Sequence, residues 1–461
     1  MAIPTPVPTA AAVPYTRNRA ERNRIIIAVV TGTTIEWYDF YLYSSLLFVM
    51  ADQFFPKGDA AAALLAVLAA HVTGFIIRPV GALFFGRLGD LRGRKRAFFA
   101  TLLLMGAATT AIAFLPTYEQ IGLAAPLLLV IFRLLQGFAL GGEYGGAAIF
   151  VAENVPDPER GFYTSFVQVT ATLGFFLTLV VLFGIRNWMG EAAFKEWGWR
   201  FAWVASLFLL GLSMYIRLRL KESPLWERLR AERRLSPDPV LESFTGGNGR
   251  EMLIALFGAT AGQGVVWYTG QFYAYVWMQN TLKVPGPAAS VVVAVALLCA
   301  MPFFVVVGQL SDLIGRKKLV VFGNLLAAVS FFPLFRAMAG AANPLNPVLL
   351  TFLVFLMVLL VTLVYGPMAA LLVERFPGRV RYTAASLPYH LGNGWFGGSV
   401  PLIATYLVFR TGNMYAGLLF PIAVAALSGL IGLVWLRESR ETRIWAEVVH
   451  RRTPTGSTPR V

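Results

Sequence analysis

The sequence is poor in the side chains that build disulfides, metal centres and most enzyme active sites. Its 461 residues include one cysteine, Cys299, and three histidines. A single cysteine inside an apolar run excludes an intrachain disulfide and a cysteine-based metal site. The HExxH, GxSxG and phosphate-loop signatures are also missing from the sequence. We therefore predict no bound metal, no cofactor and no enzymatic activity.

Charged residues are scarce as well. They make up 14% of the chain, where a soluble domain has about 25%, and hydrophobic residues make up 57%. Apolar runs long enough to cross about 30 Å of hydrocarbon recur along the whole sequence. They predict an all-α membrane protein with twelve transmembrane helices, at about residues 25–50, 61–87, 97–116, 123–152, 162–185, 199–220, 251–279, 288–311, 318–339, 347–373, 382–409 and 413–436.

Basic residues outnumber acidic ones and give the chain a net charge of +15. They lie mainly between the apolar runs, and assigning alternate connections to one side collects about 30 of the 39 Lys and Arg there. The positive-inside rule then predicts a multi-pass protein of the cell inner membrane with both termini in the cytoplasm. The position of the basic residues at the cytoplasmic side of the lipid bilayer explains the positive net charge, and we predict no nucleic-acid partner.

The longest polar connection, residues 221–250, divides the apolar runs six and six. We predict a cytoplasmic N-terminal tail (1–24), an N-terminal six-helix bundle (25–220), this cytoplasmic linker, a C-terminal six-helix bundle (251–437) and a cytoplasmic C-terminal tail (438–461). Residues 1–16 are rich in Pro and Ala and residues 451–461 are polar, so neither segment can pack a core. The linker contains an amphipathic segment that we expect to lie on the membrane.

A repeated motif relates the two halves of the chain. The sequence GRLGDLRGRK occupies 86–95 and GQLSDLIGRK occupies 308–317, so that Asp312 lies 222 positions after Asp90. Glu153 recurs as Glu374 at an offset of 221. Two matches at nearly one offset indicate a duplicated six-helix unit, an architecture that places the substrate site between the repeats.

These residues resemble the major facilitator superfamily, whose signature G-x-L-x-D-x-x-G-R-[RK] occurs here twice. The chain is also similar to the metabolite:H⁺ symporters of that superfamily, through GTTIEWYDF at 32–40, Arg78-Pro79, RLLQG at 133–137, GGEYGG at 141–146 and WGWR at 197–200. The resemblance implies a major facilitator fold of two pseudo-symmetric six-helix bundles. It also implies import of a solute of the α-ketoglutarate, shikimate, citrate, proline or betaine type.

The resemblance further implies a conformational latch in the loops that carry the repeated motif. Asp90 and Asp312 can sit at the positive end of a facing helix. The alternative is that the basic residues only anchor the loops at lipid headgroups. The predicted latch consists of Gly86, Asp90, Gly93, Arg94, Lys95, Glu153, Asp312, Gly315, Arg316, Lys317 and Glu374.

Five ionisable side chains lie deep inside predicted transmembrane helices: Glu36, Asp39, Arg78, Arg133 and Glu143. Placing one such charged side chain near the bilayer centre costs roughly 3 kcal/mol, so we expect each of them to have a structural or functional role. Their depths, at about 1.5 Å per residue, predict two ion pairs, Asp39 with Arg133 and Glu143 with Arg78. A carboxylate whose arginine can be engaged elsewhere can take up a proton on one side and release it on the other. The alternative is that these are structural ion pairs between helices.

Polar and aromatic side chains in two further helices are candidates for substrate contact. Gln263, Trp267, Gln271 and Tyr275 recur every fourth residue of the seventh helix and form one stripe. Hydrogen bonding between helices is the alternative explanation for such a stripe. The full set of predicted substrate-binding residues is Arg78, Arg133, Gln136, Gln263, Trp267, Tyr268, Gln271, Tyr275, Tyr389, His390 and Asn393.

Together these features predict a monomeric, proton-coupled symporter that imports a small carboxylate-bearing metabolite by alternating access. Its partners are then the solute and H⁺. The three deep acids and two deep arginines sum to a charge of −1, and Arg133 or Arg78 offers the substrate carboxylate a bidentate partner. A zwitterion:H⁺ symporter of the proline and betaine type, a proton-linked exporter and a transporter-like solute sensor remain alternatives.

Overall fold

The computed structural model describes residues 18–56, 60–218 and 221–449. The predicted segments at 1–16 and 451–461 lie outside these residues. Regular structure in the described part is helical, with one isolated β-bridge between Ala342 and Leu345.

The N-terminal half, residues 19–218, contains α1 Arg19–Ser45, α2 Leu47–Phe54, α3 Ala60–Ile76, α4 Arg78–Arg92, α5 Arg94–Ala113, α6 Tyr118–Ile121, α7 Ala124–Ala152, α8 Arg160–Met189, α9 Glu191–Ala193 and α10 Trp199–Leu218. The linker contains α11 Pro224–Ala231 and α12 Pro239–Phe244. The C-terminal half, residues 248–435, contains α13 Asn248–Ala255, α14 Ala261–Trp267, α15 Ala274–Asn280, α16 Gly286–Ile314, α17 Arg316–Ala342, α18 Pro347–Tyr365, α19 Met368–Arg375, α20 Arg381–His390, α21 Val400–Thr411 and α22 Leu419–Trp435. A last short helix, α23, follows at Ala446–Val449.

Eleven helical segments of the described residues are long and apolar enough to cross a membrane. The predicted helix at 382–409 is present but interrupted. α20 ends at His390, a π-helical turn covers Leu391–Gly397, and α21 begins at Val400. The turn is rich in glycine, which weakens a continuous α-helix. A π-helical turn, Tyr268–Tyr273, also joins α14 to α15 in the seventh predicted helix.

The segments 86–95 and 308–317, expected to be loops, are helical for most of their length. α4 continues to Arg92 and α16 continues to Ile314. A single glycine separates each of these helices from the next: Gly93 (φ 108°) lies between α4 and α5, and Gly315 (φ 107°) lies between α16 and α17. Side chains are strained at such values of φ, so each helix runs until its glycine.

The two halves contact each other along several helix pairs. α8 packs along α16, and α20 packs against both α4 and α7. The linker helix α11 does not follow the expectation that it lies on the membrane. Its residues Leu225 and Leu229 are buried in a cluster with Val373, Ile444 and Trp445. The apolar face of the linker therefore covers the protein rather than lipid.

Candidate functional site

Arg78 lies at the first position of α4, fully buried between the two halves. Its guanidinium carbon is 4.0 Å from the centre of the Phe75 ring and 4.4 Å from that of Phe40. Tyr389 of the C-terminal half is close enough to interact with it electrostatically, and the Tyr268 side chain also lies within hydrogen-bonding reach of it, although without normal hydrogen-bond geometry. None of its three guanidinium nitrogens has a hydrogen-bond partner of normal geometry among the described residues. A buried, unpaired guanidinium is costly, and an anionic ligand would offset that cost.

Arg133, in contrast, is engaged by its own half. It donates hydrogen bonds to Gln136 Oε1 (2.9 Å) and to the Phe40 carbonyl oxygen (3.5 Å), and one nitrogen lies 3.4 Å from Nδ1 of His71. The predicted ion pair between Arg133 and Asp39 is wrong. The two residues were matched by depth alone, and depth does not determine the direction in which a side chain points around its helix. Gln136, in turn, donates to Thr109 Oγ1 at 2.8 Å and thus supports Arg133.

Glu36 and Glu143 share a third arginine, Arg217, which lies in the last turn of α10. Glu36 Oε1 is 2.5 Å from Arg217 Nη1, and Glu143 Oε1 is 3.1 Å from Arg217 Nη2. All three side chains are almost completely buried, and we call them the Glu36–Arg217–Glu143 triad. The predicted pair of Glu143 with Arg78 is therefore wrong. Arg217 was missed because, near the end of a helix, it was counted with the basic residues that set topology.

Asp39 forms no ion pair among the described residues, although only 2% of its surface is exposed. The Ser206 side chain of α10 lies beside it, and Oδ1 of the carboxyl has no hydrogen-bond partner. An ionised carboxylate buried without a cation costs several kcal/mol. Asp39 is thus the one deep acid without an arginine, and it is suited to carrying a proton.

The stripe on the seventh predicted helix divides into two parts. The side-chain amides of Gln263 and Asn393 form two hydrogen bonds with each other, at 3.2 and 2.6 Å. This part of the stripe therefore serves hydrogen bonding between helices, as the alternative explanation predicts. Trp267 stacks on Tyr41 at 5.6 Å, and its indole nitrogen has no hydrogen-bond partner in the part of the chain that the structure describes. Gln271 likewise has an unpartnered Nε2. These two orphaned donors extend the site from Arg78 along the C-terminal half.

The remaining predicted contacts lie around the same centre. The Tyr275 hydroxyl is 3.1 Å from Ser290 Oγ, on α16. The Tyr389 ring stacks on Tyr144 with centroids 3.5 Å apart, and its hydroxyl is 2.8 Å from that of Tyr365. Both ring nitrogens of the buried His390 lack partners. Tyr144, Tyr365 and Tyr389 thus form one aromatic cluster, and Tyr365 and Tyr389 are close enough to Arg78 to interact with it electrostatically.

The repeated aspartates each bind the start of a helix in the opposite half. Asp90 accepts hydrogen bonds from the backbone N–H groups of Tyr382 (3.3 Å) and Thr383 (3.0 Å) of α20. Asp312 accepts from the N–H groups of Gly161 (2.8 Å) and Phe162 (2.7 Å) of α8. Both carboxylates thus lie at the positive end of a facing helix. Arg94 and Arg316 hold them from the side, each at 2.7 Å.

Two glutamates link the halves a second time. Glu153 of the N-terminal half binds Arg381 of the C-terminal half at 3.1 Å. Glu374 of the C-terminal half binds Arg160 of the N-terminal half at 2.8 Å. All four side chains are fully buried, so breaking either pair without replacement leaves an uncompensated charge. With Asp90 and Asp312, these pairs close one end of the molecule.

A third element of the duplication escaped the sequence analysis. Lys221-Glu-Ser223 recurs as Arg437-Glu-Ser439. Glu222 accepts hydrogen bonds from the Lys95 backbone N–H, and Glu438 accepts in the same way from Lys317. Burial raises the pKa of the Glu222 carboxyl, and these N–H contacts partly offset that rise. Ser223 and Ser439 donate in turn to Glu153 and Glu374. The signal that could have found them is the basic-Glu-Ser sequence itself, which follows the last apolar run of each half.

Comparison with known proteins agrees with this architecture. The Sugar (and other) transporter family model matches residues 25–241, and the Major Facilitator Superfamily model matches residues 252–455. Among solved structures, the proton:xylose symporter XylE from E. coli superposes with a TM-score of 0.72 at 18% identity, covering 93% of this chain and 99% of that chain. The predicted fold of twelve helices in two six-helix bundles is therefore confirmed.

Curated relatives align over almost the whole chain. The inner membrane metabolite transport protein YhjE of Escherichia coli (strain K12) is 35% identical, covering 92% of this chain and 95% of that protein. Alpha-ketoglutarate permease from the same strain is 32% identical, covering 92% and 96%. The glycine betaine/proline/ectoine/pipecolic acid transporter OusA of Dickeya dadantii (strain 3937) is 32% identical, covering 89% and 82%. The chain therefore belongs to the major facilitator superfamily and is a multi-pass membrane transporter of metabolites.

Proposed function

We propose that this protein is a proton-coupled symporter that imports a small carboxylate-bearing metabolite by alternating access. The observation that carries the proposal is Arg78, a fully buried guanidinium at the interface of the halves that forms no ion pair and no hydrogen bond of normal geometry with any described residue. A carboxylate can bind such a group through two parallel hydrogen bonds. Trp267 and Gln271 supply further unpartnered donors for a second acceptor group on the solute.

The names of the relatives support a carboxylate as the shared feature. α-Ketoglutarate, glycine betaine, proline, ectoine and pipecolic acid differ in size and net charge, yet each bears a carboxylate. A site built around one arginine would serve all of them. The rest of the pocket would then select among them.

The charges of the buried groups support proton coupling. Including Arg217, the N-terminal half buries three deep acids and three deep arginines, so the fully ionised set is formally neutral rather than −1. A bound monocarboxylate adds one negative charge to this set. One proton on Asp39, the acid without an arginine, restores neutrality. The proton therefore enters with the solute.

A zwitterionic solute is the second candidate. Trp37, Tyr41 and Trp267 form a continuous stack, with neighbouring rings 5.4 and 5.6 Å apart and nearly parallel. Such faces attract an ammonium group by cation–π interaction. A proline- or betaine-like solute would place its carboxylate on Arg78 and its cationic end on this stack.

A thermal-shift screen of the purified protein tests the proposal. Mono- and dicarboxylates, amino acids and betaines are compared with their amides or methyl esters. Specific carboxylates are expected to raise the melting temperature, and the matched neutral analogues are not. A stabilising ligand without any carboxylate, such as a sugar, would contradict the assignment of Arg78.

The closed end formed by Asp90, Asp312, Glu153 and Glu374 is proposed to be the cytoplasmic latch. Asp90→Asn removes a negative charge that accepts three hydrogen bonds from N–H and O–H groups of α20. We expect this change to destabilise the closed state by about 2 kcal/mol. We expect a cysteine at the buried position Ser386 to react with a permeant maleimide roughly 30-fold faster in this variant. The exposed linker variant Glu227→Gln is the control. Equal rates of maleimide reaction in Asp90→Asn and Glu227→Gln would contradict a role of Asp90 in the latch.

The topology proposed with this latch places the tails, residues 1–24 and 438–461, and the linker 221–250 in the cytoplasm. Cys299 is exposed and is first replaced by serine. A cysteine introduced at Arg233 is expected to resist an impermeant thiol reagent added to intact cells, and one at Glu191 is expected to react. Labelling at 233 from outside would reverse the orientation.

A further inference from the structure

Tyr382, at the start of α20, inserts from the C-terminal half into the N-terminal half. Its side chain is fully buried, and its hydroxyl donates a hydrogen bond to the Gly142 carbonyl oxygen. A Cβ atom at Gly89 would lie 2.2 Å from the tyrosine ring, and one at Gly146 would lie 2.3 Å from its hydroxyl. The two glycines therefore form a slot between α4 and α7 that admits this ring and little else.

The Glu36–Arg217–Glu143 triad adjoins the inner end of the slot. Glu143 follows Gly142 directly in α7. The Arg217 guanidinium lies 3.6 Å from the centre of the Phe98 ring, and that ring also borders Gly146, beside the Tyr382 hydroxyl. Tyr382 is close enough to Glu143 and Arg217 to interact with both electrostatically.

Several neighbouring helices bring charged and titratable groups close to Glu143. Glu36 belongs to α1, Arg217 to α10 and Tyr382 to α20, which adjoin Glu143, and Asp90 of α4 and Arg94 of α5 lie on the far side of the tyrosine, so that the full set comes from five elements. Two carboxylates share one guanidinium, so the ionised triad carries a net charge of −1 in a buried place. Like charges at one buried site favour the binding of a single proton between them.

Resting on the proton coupling proposed above, we propose that the triad is a second proton-binding site, separate from Asp39, and that Tyr382 controls its exchange with the cytoplasm. Opening of the latch moves α20 away from α4 and α7 and withdraws the phenol from its slot. A proton on Glu36 or Glu143 then leaves to cytoplasmic water, and both carboxylates remain with Arg217. With Asp39, the transporter can carry two protons together with a dicarboxylate, whereas a monocarboxylate requires the Asp39 proton alone.

Infrared spectroscopy of the purified full-length protein, without any substrate, tests this site. The C=O band of a buried protonated carboxyl is identified by its loss in Glu143→Gln or Glu36→Gln, and its rate of exchange is followed after transfer to D₂O. Tyr382→Phe loses the hydrogen bond to Gly142, and we expect this exchange to accelerate about tenfold. Tyr382→Ala also empties the slot and is expected to be faster still.

Two controls make the outcome decisive. Tyr406→Ala, at a half-exposed position of α21, is expected to leave the exchange rate unchanged. Asp39→Asn is expected to leave the band in place, so this test is independent of whether Asp39 couples solute uptake. A band that survives both glutamine variants would overturn the second proton site. An unchanged exchange rate in Tyr382→Phe and Tyr382→Ala would overturn the role of Tyr382.

Discussion

Arg78→Lys is expected to weaken the binding of a carboxylate solute about 100-fold. Lysine keeps the positive charge but loses the planar fork that holds two carboxylate oxygens at once. The lost charge-assisted hydrogen bond is worth up to about 3 kcal/mol, which corresponds to that factor. The dissociation constant is measured by calorimetry with the strongest ligand from the thermal-shift screen.

Arg133→Lys is the matched control for this change. Arg133 is equally buried, but both of its Nη nitrogens are already in contact with Gln136, Phe40 or His71. We therefore expect this variant to lower the melting temperature while the dissociation constant changes less than about fivefold. A large loss of affinity in Arg133→Lys with little change in Arg78→Lys would exchange the roles of the two arginines.

Asp39→Asn is expected to abolish uphill uptake and to preserve exchange of solute across the membrane. The amide keeps the shape of the side chain but cannot take up and release a proton. Accumulation against a gradient should fall to the level of empty proteoliposomes, while counterflow of labelled solute continues. The measurement is uptake of the same monocarboxylate in both modes, with and without an imposed pH gradient.

Ser206→Ala supplies a comparison for Asp39→Asn. Ser206 lies beside the Asp39 carboxyl, and its removal alters the surroundings of that group without removing the proton site. Coupled uptake should persist in Ser206→Ala, with an altered dependence on pH. If Asp39→Asn still concentrates solute with the normal pH dependence, Glu36 or Glu143 is the coupling carboxylate instead.

The duplicated motif was the most informative feature of the sequence. Asp90 and Asp312 could be matched because both occupy the same place in a motif that occurs once in each half. In a duplicated chain, such residues lie at equivalent positions of the two bundles. Their place at the start of a facing helix followed from the charge of a carboxylate and the helix dipole. The continuation of α4 and α16 to Gly93 and Gly315 was less evident, because a charged segment after an apolar run reads as a loop.

The sequence did not allow the ion pairs inside the membrane to be predicted correctly. Helical rise gives the depth of Asp39, Glu143, Arg78 and Arg133, but a pair also depends on how each helix is rotated and tilted against its neighbours. Arg217 shows the limit most clearly. It lies one residue before the end of α10, yet its long side chain reaches Glu36 and Glu143 inside the bundle.

Proton movement driven by the solute alone tests the coupling most directly. Proteoliposomes with a trapped pH-sensitive dye and no initial pH gradient are given an inward gradient of a monocarboxylate solute. Internal acidification is expected in the wild-type protein and in Ser206→Ala, and none is expected in Asp39→Asn. Solute uptake by the wild-type protein without any change in internal pH would contradict proton symport.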